Sequence, residues 1–179
     1  MLALYTHYPV IRLSASTHDS DAVQDIAWPD GTCFGCGPAN PDGLQLKSHL
    51  AENEDGLVAT VIPRETYDAG IPNVMCGGIG ATLIDCHATW TVYTLEHLAS
   101  GRLLSDLELT PESEDAHTGA NYVTGELTVR YQQPTPLDQP LYLKSGIDGD
   151  IDRKTEVKCE LGPEGDVTAT GNVTIIRLD

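Results

Sequence analysis

The chain has 179 residues, of which 40% are hydrophobic, so it is long enough for one compact domain and short for two. Acidic residues number 27 and basic residues 10, and the resulting formal charge of −17 repels nucleic acid phosphates and anionic lipid headgroups. No apolar run approaches the roughly 20 residues that cross a bilayer. We therefore expect one cytoplasmic domain that binds neither nucleic acid nor membranes.

The first 32 residues differ from the rest of the chain. They show no clean hydrophobic periodicity and are rich in aspartate, which predicts a solvated, peripheral arm at 1–32 and a domain at 33–179. No basic residue precedes Arg12, so the N-terminus is a poor secretory signal. Because the five cysteines are an odd number in a chain without export features, we expect reduced thiols.

The predicted elements begin after a turn-rich segment, CFGCGPANPDGLQLK, at 33–47. Leu44 and Leu46 begin a first strand, and GLVATVIP at 56–63 is typical of a second. Prolines and glycines then indicate a loop that extends to Gly80.

A long helix is predicted from about Gly78 to Leu98. This segment has no proline, and its apolar residues recur at spacings of three and four, as one helical face requires. The other face carries few charges, so most of the circumference should be buried, as in a helix wrapped by a sheet. Gly101 is a suitable stop signal.

Four strands follow an acidic segment at 105–120, which we interpret as a surface loop. The first strand alternates apolar residues, beginning with Val123, with polar residues, beginning with Thr124. Turn signals between the strands favour an antiparallel meander. The predicted fold class is α+β, with an antiparallel sheet wrapped around a long central helix.

The sharpest local feature is the segment MCGGIGATLIDCH at 75–87. Gly77 and Gly78 would open the long helix, where backbone N–H groups lack intrahelical partners and could bind a carbonyl oxygen. Asp85 is a carboxylate in an otherwise apolar helix, so it must be paired, hydrated or functional. Thr89 shares its face, and the two could position a water molecule. Close packing of the glycines and an ion pair for Asp85 explain the same spacing equally well.

Three segments carry a resemblance to a known family: CFGCGPANPDGLQLK, GIPNVMCGGIGATLIDCHATWT and LTVRYQQPTPLDQPLYLKSGI. Over 33–178 the chain resembles the hotdog-fold thioesterases of the PaaI-like group. The resemblance implies a hotdog fold, a homodimer with continuous sheets, and hydrolysis of acyl-CoA thioesters at the dimer interface. It implies no cofactor beyond the coenzyme A of the substrate. A tetramer is compatible, because one face of each strand is polar.

The family's site residues carry over by position. Its His-Gly-Gly element falls on Cys76, Gly77 and Gly78, and its catalytic acid falls on Asp85. The resemblance implies that the Gly78 N–H polarises the thioester carbonyl, that Asp85 acts as general base or nucleophile, and that Thr89 orients the attacking water. The expected substrate-binding residues are Asn73, Cys76, Gly77 and His87. Because coenzyme A is anionic, its site should also need cations, and the candidates are Arg130, Lys144, Arg153 and Lys154.

Cys76 stands where many family members have histidine, which leaves three functions open. The first is acyl-CoA hydrolysis, and the second is binding of an acyl or CoA ligand without turnover. Hydration or dehydration of acyl thioesters ranks last, because no histidine precedes the helix in its loop or follows Asp85 at four or five positions. Cys76 could also be a reactive thiolate at the helix start.

Cys33 and Cys36 form a Cys-x-x-Cys pair. With Cys76, Cys86 and His87 elsewhere in the chain, this pair could in principle assemble a tetrahedral zinc site. Structural zinc sites normally have two close pairs, however, and no clean second pair is present here. No helix signature of a thioredoxin-like motif follows it. We therefore expect neither a metal site nor a redox motif.

Overall fold

A computed structural model describes residues 22–109 and 122–178. It contains a short helix, α1 (Val23–Ala27), and a long one, α2 (Gly77–Ala99). Turns of 3₁₀ helix lie at Glu65–Tyr67 and Leu104–Asp106. The strands are β1 (Ser48–Leu50), β2 (Gly56–Val61), β3 (Tyr122–Tyr131), β4 (Leu141–Ile147), β5 (Lys154–Gly162) and β6 (Ala169–Arg177).

The strands form one antiparallel sheet in the order β1-β2-β4-β5-β6-β3, and α2 contacts every strand. The alternation of buried and exposed residues in β5 shows why one face of the sheet covers the helix. Thr155, Val157, Cys159 and Leu161 are buried, whereas the residues between them are exposed. The predicted class, an antiparallel sheet wrapped around a long central helix, is confirmed.

The helix bounds differ from the predicted ones by one residue at each end. Gly101 follows the helix with a φ of 78°, the left-handed conformation in which helices often end. Within the described residues, no helix combines the length and the apolarity that crossing a membrane requires.

The predicted four-strand meander is wrong at one connection. β3 pairs with β6, and β4 lies between β2 and β5, so the meander comprises only β4, β5 and β6. The segment 132–140 contains three prolines and is too long for a tight hairpin. It is anchored by Thr135, whose buried hydroxyl lies 2.7 Å from that of Thr168. The chain therefore crosses the sheet here and leaves β3 at an edge.

A bulge in β3 changes the predicted side-chain alternation. The register of β3 against β6 shifts between Thr124 and Glu126, because β3 has one extra residue there. The alternation of side chains between the two faces of the sheet therefore reverses across the bulge. Val123 is therefore exposed and Thr124 faces α2, the reverse of the expectation from sequence. Glycine fits at the bulge because a Cβ at Gly125 would lie 2.3 Å from Cδ1 of Ile176.

The N-terminal arm is not peripheral in its described part. Val23 and Ala27 belong to the hydrophobic core. The fully buried Gln24 accepts a hydrogen bond from the Ser48 N–H at 2.8 Å and donates one to Ser48 Oγ at 3.0 Å. The remainder of the arm, 1–21, lies outside the described residues.

The predicted acidic surface loop at 105–120 is also largely outside the described residues. In its described part, Leu107 is buried in the core, so the loop is not solvated throughout.

His87 extends the buried polar contacts from α1 into α2. Its Nε2 lies 3.2 Å from the Leu57 carbonyl oxygen, and because a carbonyl only accepts, Nε2 carries the proton. Nδ1 then accepts from Ser48 Oγ at 2.8 Å. Burial lowers the pKa of His87 to about 4, although the hydrogen bond to Leu57 favours the charged form. The imidazole is therefore neutral and joins α1, β1, β2 and α2.

The lowered pKa of His87 predicts a pH-dependent stability. The ordinary pKa is 6.5 in the unfolded chain and about 4 in the folded one. The contribution of His87 to the free energy of unfolding is therefore fully present above pH 6.5. It falls as the pH is lowered to 4, because only the unfolded chain takes up a proton in this range. The loss amounts to about 3 kcal/mol at most.

Urea unfolding between pH 7 and 4, at constant salt and protein concentration, measures this loss. The variant His87→Gln should be less stable at pH 7 but lose less on acidification, whereas His49→Gln should follow the wild type. Equal acid slopes for wild type and His87→Gln would contradict the assignment.

Candidate functional site

The start of helix α2 is exposed to solvent, and a hydrogen bond fixes the loop that precedes it. Cys76 is its N-cap residue and caps no N–H with its side chain, and Gly77 and Gly78 are exposed. Within 22–109 and 122–178, the structure gives the N–H groups of these two glycines no acceptor. The preceding loop is fixed because the Cys76 N–H donates to the Tyr67 carbonyl at 2.7 Å. Two N–H donors thus face outward at the positive end of a 23-residue helix.

One stripe of α2 carries three of the predicted site residues together with Glu96. At about 100° per residue, Gly78, Asp85, Thr89 and Glu96 lie within about 40° of one another around the axis. Each is exposed or half-buried, whereas most of the helix is buried in the sheet. His87 lies about 200° from Asp85 and is on the buried side.

The edge strand β3 runs along this stripe and contacts α2 at three points. In each contact a hydroxyl group of β3 donates to an oxygen of α2. The pairs are Tyr131 with the Gly77 carbonyl, Thr124 with Asp85, and Tyr122 with Glu96. The candidate site is therefore a strip between α2 and β3, at the edge of the sheet.

Asp85 is held by a single strong contact. Thr124 Oγ1 donates to Asp85 Oδ1 at 2.5 Å, and no donor to Oδ2 is present in the described part of the chain. The charge of Asp85 also affects a thiol in the neighbouring core. Burial raises the pKa of Cys159 to about 12, and the negative charge of Asp85 contributes to this rise. Asp85 is thus an oriented carboxylate with one oxygen left to accept a proton or a hydrogen bond.

Glu96 occupies the same stripe in a different state. Its carboxylate accepts from Tyr122 Oη and from Arg177 Nη1, the latter at 2.8 Å. Burial and the neighbouring Glu96 raise the pKa of Tyr122. Because both oxygens of Glu96 are engaged, Asp85 is the better candidate for proton transfer.

Comparison with known proteins gives structural matches only. No family model and no curated protein sequence matches the chain. A thioesterase superfamily protein from Shewanella loihica PV-4 is 25% identical, with a TM-score of 0.53 over 75% of this chain and 91% of that one. A phenylacetic acid degradation-related protein from Ralstonia eutropha JMP134 is 16% identical, with a TM-score of 0.55 over 79% and 92%.

Another solved structure, Cj0977, is a sigma28-regulated virulence protein from Campylobacter jejuni. It is 11% identical, with a TM-score of 0.58 over 88% of this chain and 96% of its own. The shared feature in all these structures is the fold. The chain has the hotdog fold of the thioesterase superfamily.

The hotdog fold brings together only part of the predicted site. Gly78, Asp85 and Thr89 lie on the stripe described above, and Gly77 lies beside it at the helix start. Thr89 Oγ1 donates to the Asp85 carbonyl at 3.0 Å, so its proton is committed and its oxygen can only accept from a water molecule. Thr89 could therefore orient an attacking water molecule only as a hydrogen-bond acceptor.

Of the other predicted substrate-binding residues, Cys76 lies at the helix start as its N-cap, whereas three lie elsewhere in the described chain. His87 has no exposed surface and both its ring nitrogens are paired, so its observed role is structural. Asn73 has a φ of 58°, and its Oδ1 accepts from the Leu137 N–H at 2.9 Å. It joins the loop before α2 to the loop after β3. Arg130 is exposed and alternates with Val129, which packs on the core, so it faces away from α2.

Two features of this hotdog domain are absent from the sequence predictions. Thr124 was assigned to the outer face of its strand, and only the bulge at Gly125 turns it towards Asp85. The second feature is the contact of Cys86 with the Cys-x-x-Cys pair, because the sequence offered Cys86 only as one of several possible companions. Cys86 Sγ lies 3.8 Å from Cys33 Sγ, and their sequence separation gives no signal of this contact.

Gly78 is not required by packing. A Cβ built there would have Cys76 Sγ at 3.8 Å as its nearest heavy atom, whereas one at Gly171 would lie 2.4 Å from Cγ2 of Ile84. We therefore expect Gly78→Ala to be as stable as wild type or up to about 1 kcal/mol more stable. Gly171→Ala should be destabilised by roughly 1–3 kcal/mol.

Chemical unfolding of the two variants beside wild type checks this expectation. A loss of stability in Gly78→Ala comparable to that in Gly171→Ala would mean that Gly78 serves the fold and not access to the helix start.

Proposed function

We propose that the protein is a thioester hydrolase that acts on acyl-CoA, with Asp85 as the group that activates water or attacks directly. The observation that carries this proposal is the half-buried Asp85 carboxylate on the hotdog helix, oriented by Thr124 and with one oxygen available. The exposed N–H groups at Gly77 and Gly78 supply donors for a carbonyl oxygen. The thioesterase superfamily fold supports the same reaction class.

In the proposed reaction, a thioester carbonyl accepts a hydrogen bond from the Gly78 N–H. Asp85 Oδ2 accepts a proton from a water molecule that also donates to Thr89, and the water oxygen attacks the carbonyl carbon. The C–S bond then breaks, and the thiolate takes the proton from Asp85. The products are a carboxylic acid and a thiol. As nucleophile, Asp85 would instead form a mixed anhydride that water hydrolyses.

One chain alone does not complete this site. Gly78 and Asp85 are seven residues apart, or about 10 Å along the helix. A reacting carbonyl needs its oxygen within about 3 Å of the donor and its carbon within one water molecule of the base. We therefore infer that the Gly78 N–H and the Asp85 carboxylate of one site come from two subunits.

The edge strand β3 is the proposed contact between the subunits. It has ten residues, and one of its two sides is unpaired in the described chain. An exposed edge of this length is a template for a second strand. Two copies joined antiparallel at β3 would align the two stripes, because each stripe follows its own β3.

Asp85→Asn tests the chemistry. The amide cannot take up the proton, so kcat on the best acyl-CoA should fall at least about 100-fold. The exposed Asp138→Asn is the matched control and should keep wild-type turnover. Loss of the thioester absorbance is the measurement, because the five cysteines of the chain would react with a thiol-detecting reagent.

A panel of short, long and aromatic acyl-CoAs at low and high salt covers the possible substrates. Wild-type turnover by Asp85→Asn would overturn the role of Asp85. No turnover by wild type, with calorimetric binding of acyl-CoA retained, would favour a binding protein. The cysteine at position 76, where many relatives of this type have histidine, is what supports that second function.

Mixed dimers test the shared site. Gly78→Pro removes the N–H in the first helical turn, where proline is tolerated. This variant and Asp85→Asn should each be nearly inactive alone. After unfolding and refolding together, half of the dimers are mixed and each has one intact site, so about one quarter of wild-type activity should return.

Complementation of this kind requires that the two groups come from different subunits. If both belonged to one subunit, every site in the mixture would be defective and no activity would return. Thermal unfolding of each variant alone confirms that its inactivity is not a loss of fold.

A further inference from the structure

A cluster of three thiols lies on a part of α2 that the proposed reaction does not use. Cys33, Cys36 and Cys86 place their sulfur atoms within 4.8 Å of one another. Cys86 belongs to α2, whereas the other two belong to the turn at 33–37. Position 86 is about 100° from Asp85 around the helix, so the cluster does not face the stripe that carries Asp85.

We propose that Cys33, Cys36 and Cys86 bind one thiophilic d¹⁰ cation, Zn²⁺ or Cu⁺, which fastens the turn at 33–37 to helix α2. Thiolate ligands select these ions. The three residues would act as thiolates, and the bound ion would link two segments that are 50 residues apart in the chain. The proposal concerns binding and stability and is independent of the proposed hydrolase activity.

The spacing of the sulfurs suits such an ion. A Zn–S bond of about 2.3 Å places the sulfurs of a tetrahedral site about 3.8 Å apart, and those of a trigonal site about 4.0 Å apart. Cys33 Sγ and Cys86 Sγ are 3.8 Å apart, and the third sulfur completes a triangle with no side above 4.8 Å. A shift of less than about 1 Å by the third sulfur would close the site.

The backbone of the turn is shaped around the sulfurs. A Cβ at Gly35 would lie 2.3 Å from Cys86 Sγ, so glycine is what lets this sulfur reach the pair. The turn closes through the Gly37 N–H, which donates to the Cys33 carbonyl at 2.9 Å. A Cβ at Gly37 would lie 2.5 Å from the Cys33 nitrogen, so a side chain is excluded there also.

An N–H donor points at the cluster. The Trp90 Nε1–H donates to Cys36 Sγ at 3.2 Å. Ordinary apolar packing of cysteine needs no such donors, whereas N–H groups aimed at sulfur stabilise thiolate ligands and hold them in place.

Access to the cluster is from one side. Cys36 and Cys86 are 5% and 7% exposed, and Cys33 is half-buried. A fourth ligand for Zn²⁺ would come from solvent beside Cys33, since the described residues offer no further His, Asp, Glu or Cys in this group. Cu⁺ would need no fourth ligand, because three thiolates form a trigonal site. The two ions therefore share one site and differ in coordination number.

The test uses the full chain, freed of metal with a chelator under reducing conditions. Titration with Zn²⁺ and, separately, with Cu⁺ against chromophoric competitors gives the stoichiometry and the affinity of each. We expect one equivalent of one ion per chain. With Co²⁺ in place of Zn²⁺, thiolate-to-metal charge-transfer absorption should appear, and a rise in the unfolding temperature should accompany binding.

Cys33→Ser is the variant least able to disturb the core, because Cys33 is half-buried. It should bind the ion at least 100-fold more weakly, whereas Cys76→Ser, also half-buried and outside the cluster, should bind as wild type does. Binding of less than one tenth of an equivalent of Zn²⁺ and also of Cu⁺ overturns the proposal. Unchanged affinity in Cys33→Ser overturns it as well.

Discussion

Enclosure of helix α2 by the sheet is the constraint on which the rest of the structure depends. The helix contacts all six strands, and it approaches β6 so closely that Gly171 leaves room for Ile84. Apolar burial drives this arrangement, and it favours two environments for a polar side chain on α2. Most such side chains are either paired inside the core or placed on the stripe that follows β3, although the buried Thr94 hydroxyl has no partner among the described residues.

His87 and Asp85 illustrate the two environments within one helical turn. His87 is fully buried, neutral and paired on both ring nitrogens, and through Ser48 and Gln24 it connects the helix to the N-terminal segment. Asp85 reaches the edge of the sheet, where Thr124 orients it and solvent can approach. The same helix thus stabilises the domain on one side and presents chemistry on the other.

The N-terminal segment covers a second side of α2. Helix α1 contributes Gln24 to the buried polar network, and the turn at 33–37 brings two sulfurs to Cys86. Because Cys86 follows Asp85 directly, a bound ion would hold the helix that carries the candidate site. Both contacts fix the register of the segment before β1 against the helix, which explains why this part of the chain is not a loose arm.

The sequence by itself determined the α+β class, the long helix and the strands, because spacings of two and of three to four residues report directly which faces are buried. It also placed Asp85 and Thr89 on one face, since helical spacing is a local property. Only the tertiary structure decided that β3 is an edge strand and that a bulge turns Thr124 towards Asp85. The tertiary structure likewise decided that Cys86 joins Cys33 and Cys36. Strand order, a one-residue bulge and contacts across 50 residues depend on how the sheet closes over the helix, and local periodicity carries no information about that closure.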